Sequence, residues 1–187
     1  PMLGGETTVD GKTSQFVSSL LFAAPLAKKK TEINVININE KPYIELTLGW
    51  LDFLGIKYTC NPDLSNFTIR GNQGYKAFEK TIPADFSTAT FALAAAAVTG
   101  GKLKIYNLDF TDEQGDKEVF DYLERMGMRV EKHDTYVTVY RKGKLYGDVE
   151  INLNSTPDAL PAMAAISCYA KGKTVLGNVP HARLKET

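Results

Sequence analysis

The chain has 187 residues, 22 Lys and Arg against 22 Asp and Glu, a hydrophobic fraction of 43% and a charged fraction of 24%. That length exceeds one typical domain of roughly 150 residues and falls short of two, and a chain of this size buries about 70% of its unfolded surface. Zero formal net charge argues against a protein that coats nucleic acid, which needs a cationic excess over phosphate, but leaves room for a small anion held by a few local donors.

In chain order, Thr13-Ser14-Gln15 leads into an apolar helical run over 16–27, followed by a strand over 32–37. A second helix is expected over 44–54, where Leu46, Leu48, Leu51 and Leu54 recur at helical spacing and Gly55 ends the run. Strands over 56–60 and 66–70 flank a turn over 61–65, and the polar stretch 71–80 reads as a linker between globular halves. Ser87-Thr88-Ala89 opens an Ala-rich helix over 90–98, closed by Gly100-Gly101 and followed by a strand over 102–107. Val119, Phe120, Leu123 and Met126 mark a helix over 118–126, ended by Gly127. Strands over 128–132 and 135–141 form a hairpin about His133-Asp134. Thr156-Pro157-Asp158 starts a helix over 159–170, then come Gly172 and a strand over 174–179.

These elements repeat. The helix starts at Thr13-Ser14-Gln15, Ser87-Thr88-Ala89 and Thr156-Pro157-Asp158 have small polar residues that cap a first turn, and Pro157 suits a first helical position. The unit is β-α-β-α-β-β, with one copy over about 6–71, a second over about 77–143 and the first half of a third over about 146–187. The fold class is therefore α/β, built of repeated units, and the Ala-rich helices suit an interior covered by sheets.

Cys60 and Cys168 stand in no Cys-x-x-Cys or Cys/His cluster. Two such thiols fit a reducing compartment and are expected to be small buried hydrophobes. The uncharged runs 13–27 and 86–101 are shorter than the ~20 residues that cross a bilayer, and no signal peptide is visible. The chain opens Pro1-Met2-Leu3 and stops at Lys185-Glu186-Thr187, so it is expected to be a piece of something longer.

Three features could carry chemistry. The helix start at Thr13-Ser14-Gln15 offers free N–H groups, two hydroxyls and an amide to an anion, though plain capping explains any single such start. Asp158 could be a base or hydroxyl anchor, or a carboxylate placed only by the helix dipole. Arg183-Leu184-Lys185-Glu186 could relay protons beside an anion, or be a solvated loop. His133 is expected in a solvent-exposed turn, and neither it nor His181 has a metal-ligand partner at useful spacing.

Thr13-Ser14-Gln15-Phe16-Val17-Ser18-Ser19-Leu20-Leu21, running to Ala23-Ala24-Pro25-Leu26-Ala27, resembles the Ser-Ser-Gln helix of the 5-enolpyruvylshikimate-3-phosphate synthase family (3-phosphoshikimate 1-carboxyvinyltransferases). Lys41-Pro42-Tyr43-Ile44 is similar to that family's Lys-Pro-Tyr segment, and Asp85-Phe86-Ser87-Thr88-Ala89 to its Asp-x-Ser-Ser-Ala helix. Gln114-Gly115-Asp116, Leu123-Glu124-Arg125-Met126-Gly127, Pro157-Asp158-Ala159 and Arg183-Leu184-Lys185-Glu186-Thr187 follow in matching order. The similarity covers essentially the whole chain.

The resemblance implies an inside-out α/β barrel type of fold, two globular halves of three β-α-β-α-β-β units each, with helices inside and sheets outside. Residues 1–80 would be the last unit of the N-terminal half, and 81–187 the first and part of the second unit of the C-terminal half, with a hinge near 78–85. It implies transfer of the enolpyruvyl group of phosphoenolpyruvate to the 5-hydroxyl of shikimate 3-phosphate, a step toward aromatic amino acids. Thr13 and Ser14 would hold the 3-phosphate, Gln15 would touch both substrates, and Tyr43 would line the shikimate site, with His181 also at the substrate site. Asp158 would deprotonate the 5-hydroxyl, Lys185 would bind it, and Glu186 would protonate the methylene. No metal, organic cofactor, nucleic-acid partner or membrane partner is implied, and a cytoplasmic monomer is expected.

Thr13 stands for the family's more usual Ser, and His181 where Asn or another residue is common. Glu40 stands where the family commonly has a phosphate-contacting Ser, so its carboxylate is expected to point away, or the correspondence slips there. The family's further phosphate-binding cations fall outside these residues. The related UDP-N-acetylglucosamine carboxyvinyltransferases share the fold, but their reactive Cys has no clear match here. A non-catalytic scaffold or ligand-binding piece is the other reading.

Overall fold

The computed structural model describes residues 2–185. The chain falls into two units that divide after Lys80.

The first unit runs β1 (Gly5–Asp10), α1 (Ser14–Ala23), a 3-10 turn (Ala24–Leu26), β2 (Thr31–Ile36), α2 (Lys41–Phe53), β3 (Tyr58–Cys60) and β4 (Asn66–Ile69). The sheet order is β1-β2-β4-β3, with β1 and β2 parallel and the other pairs antiparallel. Thr31, Ile33 and Val35 alternate inward along β2, as Phe67 and Ile69 do along β4. Val17 and Leu21 of α1 and Ile44, Leu48 and Leu51 of α2 close the core over that face. Fully burying each such side chain contributes about 1.5–3 kcal/mol. The expected β-α-β-α-β-β order of this unit is present.

The second unit opens on α3 (Phe86–Thr99) and β5 (Lys102–Tyr106), then a 3-10 turn (Gly115–Glu118), α4 (Val119–Arg125), β6 (Met128–Lys132) and β7 (Tyr136–Arg141). The sheet order is β5-β7-β6, antiparallel throughout. It continues through β8 (Val149–Asn152), a 3-10 turn (Pro157–Ala159), α5 (Leu160–Tyr169), β9 (Thr174–Gly177) and a 3-10 turn (Pro180–Leu184). β8 and β9 pair in parallel. The core gathers Phe86, Leu93, Phe120, Leu123, Val137, Val139, Met163 and Ile166. Phe86, Phe110 and Phe120 meet edge to face at centroid separations of 5.1–5.9 Å, the arrangement that aromatic quadrupoles prefer.

Several expectations change here. The second copy lacks its first strand, because residues 75–84 form no ladder. That segment reaches β5's end only through the Ala84 N–H on the Asn107 carbonyl at 2.7 Å and the Asn107 side chain on the Ile82 carbonyl, and Pro83 has no N–H to give. α3 starts four residues earlier than the expected 90–98, because Asp85, not Ser87 or Thr88, is its cap, accepting the N–H groups of Ser87 and Thr88 at 3.1 and 2.9 Å. Cys60 and Cys168 are both exposed rather than buried. Cys60 ends the three-residue edge strand β3, and Cys168 lies on α5's outward side, while Ala162, Met163 and Ile166 take the inward one. His133 is exposed as expected and stacks on Tyr136 at 4.3 Å. Among the described residues no helix is long and apolar enough to cross a membrane.

Candidate active site

Parallel strands deliver their C-terminal ends to one edge, where the loops leading into the next elements converge and where open α/β sheets bind ligands. In the first unit that edge joins the β1–α1 loop to the β2–α2 loop. Gly11 makes the approach possible, because a Cβ there would sit 2.9 Å from Val35 Cγ1 and 3.2 Å from the Ile36 carbonyl. The Gly11 N–H donates to the Ile36 carbonyl at 2.7 Å, and the Asn39 N–H donates back to the Gly11 carbonyl at 3.0 Å.

The consequence is an anion already seated on α1. Glu40 Oε2 accepts from Thr13 Oγ1 at 3.1 Å, from the Ser14 N–H at 2.9 Å and from Ser14 Oγ at 2.7 Å. Thr13 thus caps no first-turn N–H with its own side chain. Glu40 is 1% exposed and has left-handed backbone, φ 53°. The positive end of the helix dipole and a free N–H make this a favourable place for a carboxylate. The expectation that Glu40 points away is therefore corrected. Tyr43 stands half-buried in the first turn of α2, its N–H on the Glu40 carbonyl at 3.0 Å, and Gln15 is exposed on α1. Ser18 Oγ and Thr47 Oγ1, 2.7 Å apart, tie the two helices together behind the site.

The second unit repeats the device twice. After β5, the Gln114 side chain takes the Phe86 N–H at 2.9 Å and donates to the Ala84 carbonyl at 3.2 Å, bracing the start of α3. After β9, Lys185 Nζ lies 2.7 Å from Asp158 Oδ1. Asp158 sits in the 3-10 turn ahead of α5 rather than in the α-helix itself. The separations along the chain are 26, 28 and 27 residues for Ser14–Glu40, Phe86–Gln114 and Asp158–Lys185. A residue from the loop after β2, β5 or β9 reaches the helix start 26–28 positions earlier, as an anion, a neutral amide and a cation in turn.

Behind Asp158, Thr156 is fully buried and lies 3.4 Å from Tyr122 Oη. The Tyr122 hydroxyl donates to Glu118 Oε2 at 2.6 Å and lies 3.1 Å from the Asn152 carbonyl. Burial first, then the Glu118 carboxylate, pushes the Tyr122 phenol well above its usual range, so it stays a neutral donor bracing the turn that carries Asp158. His181 is buried, 4% exposed, in the turn Pro180–Leu184. Glu186 lies outside the described residues. Among the described residues no group of three or more His, Cys, Asp or Glu could hold a metal ion.

Thr13 and Ser14 are thus brought together with Glu40, and Asp158 with Lys185. Sequence reading missed the clamp role of Glu40 and Gln114 and the brace from Tyr122. The recurring separation of 26–28 residues was the signal that could have found the clamps.

The family model for EPSP synthase (3-phosphoshikimate 1-carboxyvinyltransferase) matches residues 3–187. The chain belongs to the EPSP synthase family. It is 50% identical over 184 residues to the 3-phosphoshikimate 1-carboxyvinyltransferase of Ruminiclostridium cellulolyticum, covering 98% of this chain and 43% of that protein. The Acetivibrio thermocellus enzyme of that name is likewise 50% identical, with the same coverage. The solved EPSP synthase from Acinetobacter baumannii superposes with a TM-score of 0.72 at 20% identity, over 99% of this chain and 42% of that one. The enolpyruvyl transferase NikO from Streptomyces tendae gives 0.66 at 19% identity, over 90% and 43%. These two likenesses show the EPSP synthase-like α/β fold. The chain spans 43% of the length of the curated relatives named here.

Proposed function

We propose that this chain supplies part of the site for transfer of the enolpyruvyl group of phosphoenolpyruvate to the 5-hydroxyl of shikimate 3-phosphate, with release of phosphate. Family membership supports the reaction class, and the observation that carries the residue roles is the Asp158–Lys185 pair, 2.7 Å apart at the C-terminal edge of parallel β8 and β9. Asp158 takes the proton of the 5-hydroxyl as its oxygen bonds to C2 of phosphoenolpyruvate. Lys185 holds that oxygen, and Glu186 delivers a proton to the methylene carbon. The resulting ketal phosphate then loses phosphate and a methyl proton, restoring the double bond. One acceptor, one donor and a fixed cation are the parts this addition–elimination needs. Thr13 and Ser14 hold the acceptor's phosphate, Gln15 and Tyr43 line the ring, and His181 borders the substrate site.

In this reading residues 1–80 are the last repeat of an N-terminal half, and 81–187 the first and part of the second repeat of a C-terminal half, with helices facing inward. Supporting that orientation, Phe16, Phe22 and Phe91 are 52%, 37% and 61% exposed on α1 and α3, apolar faces of the kind that further repeats cover.

The test grafts residues 3–187 into the Ruminiclostridium cellulolyticum enzyme in place of the matching stretch and follows phosphate release from shikimate 3-phosphate and phosphoenolpyruvate. Turnover is expected. A folded but inactive chimera, or one that turns over only UDP-N-acetylglucosamine, overturns the reading. The 187-residue chain alone is expected to show no turnover.

A further inference from the structure

We propose that Glu40 is the resident anion of the α1 cradle and determines how tightly that cradle takes a phosphate. This rests on the reading of Thr13 and Ser14 as the phosphate subsite. All three donors that a phosphate would use, the Thr13 hydroxyl and the N–H and hydroxyl of Ser14, are spent on one oxygen of Glu40. Each has a single proton to give, so an incoming phosphate must displace the carboxylate or bind with two anions side by side, which like charges oppose. The carboxylate is 1% exposed, and its loop is pinned by the Asn39 N–H on the Gly11 carbonyl at 3.0 Å. The equivalent clamps in the second unit, Gln114 and Lys185, carry no negative charge. Among the described residues, a carboxylate delivered to the helix start from the second loop is thus found in the first repeat alone. Glu40 keeps the cradle assembled in the absence of ligand and makes occupancy by phosphate a competition.

The test titrates the ¹⁵N-labelled chain with inorganic phosphate and follows the Thr13 and Ser14 amide resonances, in the natural sequence, in Glu40→Ser and in Glu40→Gln. Glu40→Ser is expected to bind phosphate at least ten-fold more tightly than the natural sequence, with Glu40→Gln in between. Adding Ser14→Ala to Glu40→Ser is expected to abolish the gain. Glu40→Gln keeps the side chain's shape, so it provides the comparison if Glu40→Ser does not fold. Equal affinities across the set, or tighter binding by the natural sequence, overturn the role of Glu40 and leave the phosphate subsite standing. Absence of phosphate-dependent shifts at Thr13 and Ser14 in every variant overturns both.

Discussion

Lys185 Nζ lies 2.7 Å from Asp158 Oδ1, 27 residues earlier in the chain. The Asp158 side chain is 41% exposed, and an ion pair in that setting adds only about 0–1 kcal/mol to stability. Proton transfer by a placed group contributes about 10²–10⁴ in rate, equal to roughly 3–5 kcal/mol of barrier. In the chimera, Asp158→Ala should therefore lower kcat by about 10²-fold or more while shifting urea stability by less than about 1 kcal/mol. Unchanged kcat would return Asp158 to a mere helix-start residue.

Gly11 and Gly49 make a matched pair of opposite sign. A Cβ at Gly11 would crowd Val35 and the Ile36 carbonyl, whereas one at Gly49, inside α2, meets nothing within 4 Å. Gly11→Ala should destabilise by about 1–3 kcal/mol, as other overpacked sites do, and move the Ser14 amide resonance by pushing the Glu40 loop away. Gly49→Ala should stabilise by about 0.5–1 kcal/mol through helix propensity. Equilibrium unfolding in urea checks both. A neutral Gly11→Ala would show that the two loops do not need this close approach.

Alkaline titration provides a third check. Burial first, then the nearby Asp52 carboxylate, pushes the Tyr58 phenol up to about 12, and Tyr122 is also raised. Folding thus favours the neutral phenols, and their contribution is fully present below the ordinary value of about 10. It is lost as pH climbs from there through about 12 for Tyr58. Stability should fall across that window, and the fall should be shallower in Tyr58→Phe. Phenolate absorbance should show Tyr58 titrating late; titration near the ordinary value would contradict the burial.

Residue pattern alone gave the α/β class, the repeat and nearly every element. Apolar spacing in α2 and α4 and β-branched runs in β2 and β7 report local burial, which each segment carries in its own side chains. Left-handed glycines at Gly55, Gly100 and Gly127 end their helices at the expected places. The missing strand before α3 was illegible, because a strand exists only when a neighbour pairs with it. The exposure of Cys60 and Cys168 was equally hidden, since it depends on which side of β3 and α5 faces the core.

Asp158 and Lys185 were each legible as candidates, through the motif that each belongs to. Their pairing was not, nor was Glu40 in the grasp of Thr13 and Ser14. Sequence by itself determined the residue types, the repeat and the helix starts, because these follow from propensity and periodicity along a short stretch. Only the tertiary structure decided which side chain fills each helix start, because parallel pairing of β1 with β2 and of β8 with β9 sets residues some 27 positions apart side by side. That juxtaposition turns an apparent departure at Glu40 into an anion resting on the start of α1.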